Sequence, residues 1–136
     1  MKGHFQKEKK NGNVREYYKN GKLKFEGDYL KGKKHGIGIE YDYFKNGKPN
    51  FKGEYFNGKK HGKGKEYNNG NLIFEGEYLS GERNGKGKEY NKYGELEFEG
   101  VYLKGKRHGK GKEYYKGKII FVGDYLNGER YGKAKE

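Results

Sequence analysis

The 136-residue sequence predicts an all-β chain, an elongated twisted single antiparallel meander sheet built from tandem β-hairpins. Three observations predict it. Phe-x-Gly-x-Tyr recurs at Phe25, Phe51, Phe74, Phe98 and Phe121. Side chains within each copy alternate with period two, and Asn-Gly or related pairs separate the alternating runs.

The first strand of each unit is the Phe-x-Gly-x-Tyr run itself. Leu72, Phe74, Gly76 and Tyr78 share one parity, and Ile73, Glu75, Glu77 and Leu79 share the other, as on a strand. A helix over the same residues would carry several interior glycines at about 1 kcal/mol each. The second strand follows with Gly85-x-Gly87-x-Glu89-Tyr90, and the distance from Phe74 to Tyr90 is 16 positions, a value that the copies starting at Phe25, Phe51 and Phe98 share.

Asn57-Gly58, Ser80-Gly81 and Asn127-Gly128 mark the first connection, and Asn20-Gly21, Asn46-Gly47 and Asn69-Gly70 the second. Gly and Asn tolerate the positive φ that tight hairpin turns require. With an even first connection, Phe51, Gly53 and Tyr55 face the same side as Gly62 and Gly64, so the rings are expected to lie on bare glycine backbone. Successive Phe residues are 26, 23, 24 and 23 positions apart, and the variation lies after the closing Tyr. An odd period flips the next Phe to the other face unless each repeat holds one odd loop or bulge, which is expected in the second connection.

These features divide a single repeat domain, 1–136, into a degenerate opening repeat 1–24 and repeats 25–50, 51–73, 74–97, 98–120 and a shortened 121–136. The opening repeat keeps Gly12, Glu16 and Tyr17 in phase but has Val14 where a second Gly is expected, and Ala134 holds that place at the other end.

Composition alone would suggest disorder, with 29% apolar and 38% charged residues and a mean hydropathy of −1.44. The phase of the aromatics argues otherwise, because ten of the fifteen Tyr fall into two repeat columns. No apolar run is long enough for a membrane-spanning helix, and the first residues lack the apolar core of a signal peptide. With zero Cys, this leads to the expectation of a cytoplasmic protein, in part peripheral to a membrane. The net charge of +13 favours acidic partners.

The run Phe-x-Gly-x-Tyr-x-x-Gly-x-x-x-Gly-x-Gly at 51–64, 74–87 and 98–111 resembles the MORN repeat. That resemblance implies side-by-side hairpins with an aromatic-lined groove, and non-catalytic work in scaffolding, protein docking, dimerisation or attachment to anionic membranes. Tyr stands where that family often has Trp, and there is an extra apolar column at Leu30, Phe56, Leu79, Leu103 and Leu126. In these features the chain is similar also to MORN-like repeats of bacterial antitoxin-type proteins.

Catalysis, cofactors and metals are not expected. His35, His61 and His108 share one repeat position, about 9.5 Å apart between neighbouring hairpins, too far for shared zinc ligation in a flat sheet. Glu66, Glu89 and Glu113 also recur by repeat, and Gly-Lys-Gly-Lys lacks the Ser/Thr of a phosphate loop.

Two candidate surfaces follow. Phe51, Tyr55, Phe74, Tyr78, Phe98, Tyr102, Phe121 and Tyr125 would line an aromatic groove for a protein partner. Lys63, Lys65, Lys86, Lys88, Lys110 and Lys112, continued by Lys133 and Lys135, would form columns on the opposite face. There Glu54, Glu77 and Asp124 pair part of their charge. The first surface makes the chain a protein-interaction or scaffold module; the second makes it a binder of anionic lipid. Nucleic acid is disfavoured because the rings are committed to the glycine bed. Homo-oligomers through open sheet edges are a further expectation.

Overall fold

In the computed structural model, which describes residues 10–44 and 47–132, every regular element is a strand. The strands are β1 (Gly12–Tyr17), β2 (Leu23–Leu30), β3 (Lys33–Tyr41), β4 (Pro49–Phe56), β5 (Lys59–Asn68), β6 (Asn71–Leu79), β7 (Glu82–Tyr90), β8 (Leu96–Leu103), β9 (Lys106–Tyr115), β10 (Lys118–Leu126) and β11 (Glu129–Tyr131). All eleven lie in one sheet in sequence order, each antiparallel to the next. The expected meander is therefore observed.

Turn chemistry sets this order. Lys31-Gly32, Asn57-Gly58, Ser80-Gly81, Lys104-Gly105 and Asn127-Gly128 have positive φ at both residues, the geometry that matches the twist of flanking strands. Asn69-Gly70 and Lys116-Gly117 do the same in the second connection. Elsewhere that connection lengthens to residues 18–22, 42–48 and 91–95. Asn20-Gly21 falls within the first of these, where Lys22 donates its backbone N–H to Asn20 Oδ1 at 3.0 Å. In 91–95 the Asn91 side chain takes over the turn, accepting from the backbone N–H of Tyr93 and Glu95 at 2.9 and 3.0 Å. Asn46 lies outside the described residues, as do Lys133, Ala134 and Lys135.

The odd residue per repeat is in the second connection. Glu66 pairs with Phe74 and Tyr67 with Leu72, which leaves Ile73 as the extra residue of a bulge. Lys24, Asn50, Glu97 and Ile120 hold the equivalent place, each immediately before its Phe. A second irregularity was not foreseen. Gly53 pairs with Gly64 but Tyr55 with Lys60, so residues 61–63 face Glu54 alone. That shift is even, and the faces are preserved.

The two glycines of each second strand consequently do different things, which corrects the expectation that both form the bed. Gly64 does lie under the rings: a Cβ there would stand 2.6 Å from Phe51 Cζ and 2.9 Å from Tyr78 Cε1. Gly62, at the irregularity, has φ +81°, and a Cβ on it would meet the Glu54 carboxylate at 2.5 Å. Backbone conformation, not ring packing, requires glycine there.

The rings form the core. Phe25, Phe51, Phe74 and Phe98 are at most 1% exposed, and Tyr55, Tyr78, Tyr102 and Tyr125 at most 5%. Each Phe meets the Tyr of its own strand and the Tyr of the next hairpin edge-on: Phe51 is 5.7 Å from Tyr55 and 5.2 Å from Tyr78. Phe74 repeats the arrangement with Tyr78 and Tyr102, and Phe98 with Tyr102 and Tyr125. Edge-to-face pairs contribute about 0.5–1.5 kcal/mol each beyond area burial. The result is a continuous ladder of rings across the sheet.

Candidate interaction surface

A single-layer sheet has no second layer to cover its rings, so this chain covers them with its own cations. The guanidinium carbons of Arg83, Arg107 and Arg130 lie 4.0, 4.0 and 4.1 Å from the ring centres of Phe74, Phe98 and Phe121. The Lys34 and Lys60 ammoniums stand over Phe25 and Phe51 at 4.3 and 4.1 Å. Each arginine also reaches back one hairpin. Arg83 donates from Nε and Nη2 to Glu66 at 2.9 and 2.8 Å, Arg107 to Glu89 at 3.0 and 2.9 Å, and Arg130 to Glu113 at 3.0 and 2.8 Å. The hydroxyls of Tyr78, Tyr102 and Tyr125 donate to the same three carboxylates.

Electrostatics follow from this geometry. Burial acts to raise the Glu66 and Glu89 carboxyls, but hydrogen bonds from Arg83 and Tyr78, and from Arg107 and Tyr102, overcome it and hold both below the ordinary value. For Glu113 the Arg130 hydrogen bond is the foremost cause of a shift in the same direction. Burial, then the carboxylate partner, pushes the Tyr55, Tyr78 and Tyr102 hydroxyls far up, and that of Tyr125 up to about 12. The recurring glutamates thus anchor the ring caps.

The rings expected to line an aromatic groove are covered by this packing. Phe51, Tyr55, Phe74, Tyr78, Phe98, Tyr102 and Tyr125 are buried by the chain itself, and Phe121 is half-buried beneath Arg130. Of these eight rings only Phe121 keeps part of its surface open. Sequence reasoning missed the cap, although a signal was present: a basic residue stands nine positions after the Phe of each Phe-x-Gly-x-Tyr copy, at Lys34, Lys60, Arg83, Arg107 and Arg130.

The recess is on the other face. Lys63, Lys65, Lys86, Lys88, Lys110 and Lys112 line a groove of about 890 Å³ that crosses the sheet from Ile37 in β3 to Val122 in β10. Its other walls include Lys52, Glu54, Glu75, Glu77, Glu99, Val101 and Tyr67. Strand alternation puts the half-exposed Leu30, Phe56, Leu79, Leu103 and Leu126 on this same face toward the hairpin tips. His35 and His61 flank Phe56, with ring centres 5.9 and 5.5 Å away. Among the described residues no group of three or more His, Cys, Asp or Glu could hold a metal ion.

Carboxylates stand beside the lysines, as expected at Lys63 with Glu77 and at Lys110 with Asp124. Of the six lysines, however, only Lys110 makes an ion pair among the described residues, at 3.5 Å to Asp124. The glutamates are drawn elsewhere. Glu75 accepts from the Tyr90 hydroxyl at 2.5 Å, Glu99 from Tyr114 at 2.9 Å, and Glu77 from the backbone N–H of Lys86 at 2.9 Å.

Tandem hairpins on a glycine bed, ring after ring, define a repeat protein. The MORN repeat family matches residues 25–42, 51–72, 74–92 and 98–118, more than half of the chain, and the chain belongs to that family. MORN repeats are in general non-catalytic and associated with protein or membrane interactions. A comparison with curated proteins found no match.

Proposed function

We propose that this chain is a non-enzymatic protein-docking scaffold whose partner lies along the Lys/Glu groove. One observation carries the reading. The rings are saturated by internal caps, whereas the opposite face keeps a groove with an exposed apolar column along one side. Leu30, Phe56, Leu79, Leu103 and Leu126 recur there without contributing to the buried core. A recurring exposed apolar row beside a recess is the anatomy of a protein interface. A bilayer would meet the same lysines, but Glu54, Glu75, Glu77 and Glu99 are interleaved with them inside a recess that a flat lipid surface fills poorly.

Photo-crosslinking tests the reading. A photoreactive residue at Leu79 or Lys86 is expected to give discrete protein adducts in cells, and one at Lys60, over the Phe51 ring, is not. Equal labelling at both faces, or adducts with lipid alone, would overturn it.

A further inference from the structure

The alternation of lysine and carboxylate across the groove is interrupted at two places between β7 and β10. Lys63 pairs across strands with Glu77 and Lys110 with Asp124, but at the equivalent place Lys86 stands opposite Val101. Lys65 stands opposite Glu75 and Lys88 opposite Glu99, but Lys112 stands opposite Val122. The two valines have 37% and 62% of their surface exposed. Two carboxylates of the pattern are therefore replaced by open apolar surface. Lys112 keeps only Glu99 as a cross-strand carboxylate where Lys88 has both Glu75 and Glu99. Lys86 keeps only Glu77, which already accepts the Lys86 backbone N–H.

The rest of the groove does not restore the balance. Seven lysines line it against four glutamates. Three of those glutamates, Glu75, Glu77 and Glu99, already accept hydrogen bonds from other groups. A ligand that supplies carboxylates to Lys86 and Lys112 and apolar side chains to Val101 and Val122 would complete the alternation.

Spacing narrows the form of that ligand. The groove runs across the strands, so its chemistry repeats once per hairpin, about 9.5 Å in a flat sheet. A polyproline-type extended chain repeats every three residues, about 9.3 Å. An acidic side chain at every third position thus meets successive hairpins in register.

We propose that the β7–β10 end of the groove, around Lys86, Val101, Lys112 and Val122, binds an extended acidic segment of a partner protein with apolar residues between its carboxylates. This rests on the groove-docking reading above and names the chemistry of the partner.

The test uses the full chain and a fluorescent ~12-residue peptide repeating Glu-Leu-Pro, with Gln-Leu-Pro and Lys-Leu-Pro counterparts. Phosphatidylserine vesicles and inorganic tripolyphosphate serve as the other anions. Binding of the Glu peptide at near-physiological salt is expected, at least about tenfold tighter than the Gln peptide. Lys86→Glu with Lys112→Glu should weaken it by about tenfold or more, and Lys86→Gln with Lys112→Gln by less. Lys92→Glu, the same charge change in the 91–95 loop, should shift it by under about twofold. Circular dichroism verifies that each variant keeps its sheet.

A Glu peptide no tighter than its Gln counterpart would overturn the acidic partner. If Val101→Asp still weakened both peptides, groove docking itself would stand. Binding of vesicles or tripolyphosphate without the Glu peptide would overturn the proposal in favour of a phosphate ligand, and an unaffected Lys86/Lys112 double variant would overturn the location.

Discussion

Arg83 lies with its guanidinium carbon 4.0 Å from the centre of the Phe74 ring. The same side chain donates two hydrogen bonds to Glu66, so one residue roofs a ring of its own hairpin and clamps it to the hairpin before. Arg83→Ala should cost about 2 kcal/mol, because it removes a cation–π contact and leaves a half-buried carboxylate with only the Tyr78 hydroxyl. Lys60 occupies the equivalent position over Phe51, but no ion pair joins it to Glu40. Lys60→Arg should add the missing fork and stabilise by about 0.5–1 kcal/mol. Urea denaturation measures both, and a neutral Arg83→Ala would refute the roof.

Glycine replacements should separate two kinds of position. A Cβ at Gly76 would stand 2.5 Å from the Lys86 carbonyl oxygen, 2.7 Å from the Gly87 Cα and 2.8 Å from Phe74 Cζ. Two of those neighbours are backbone and cannot swing away, so Gly76→Ala should cost about 3 kcal/mol or more. Gly81, with φ +92° and nothing within 4 Å, should lose only about 1 kcal/mol on the same change, from backbone strain. Similar melting temperatures for the two variants would contradict the glycine bed.

Much of this architecture could be read from residues close together in the chain. Phe74, Gly76 and Tyr78 announce a strand face by themselves, and Ser80-Gly81 announces its turn. The odd period placed a bulge in the second connection, which the pairing puts at Ile73. What stayed hidden depends on contacts between hairpins. Arg83 and Glu66 are seventeen positions apart and belong to different repeat units, so their pairing appears only once the register is known. The fate of the rings turned on that contact: without the cap the aromatic face looks open, and with it the opposite face becomes the accessible one. Gly62 was misread for a related reason, because the even irregularity beside it leaves parity untouched and gives no signal in the spacing.

Alkaline pH should unfold the sheet from one set of groups. Burial first, and then hydrogen bonds to Glu16, Glu75 and Glu113, push the Tyr29, Tyr90 and Tyr125 hydroxyls up to about 12. Tyr55, Tyr78 and Tyr102 shift further in the same direction. In the unfolded chain these phenols ionise near pH 10. Folded values raised above unfolded ones give stability that is complete below about pH 10 and lost as the pH climbs through about 12. Phenolate absorbance from these tyrosines should therefore rise together with loss of the far-ultraviolet sheet signal. Full ionisation near pH 10 with the sheet intact would contradict the Tyr–Glu hydrogen bonds.

Removing a whole hairpin should leave a folded protein, because each unit can be replaced by its successor. Deleting residues 74–97 joins Ile73 to Phe98, and Ile73 then precedes Phe98 as a bulge residue, the role Glu97 has in the native chain. Glu66, which pairs with Phe74, would pair with Phe98, as Glu89 now does. Tyr102 would cover Gly64 and meet Phe51 as Tyr78 does, and Arg107 would reach Glu66 as Arg83 does. No contact type is lost, only one copy of each. The shortened chain should keep its sheet spectrum, with a urea m-value lower by about a fifth and a reduced melting temperature, as expected where stability sums over units and their interfaces. An unfolded product would mean that the hairpins are not interchangeable and that the ladder of rings depends on long-range order across the whole sheet.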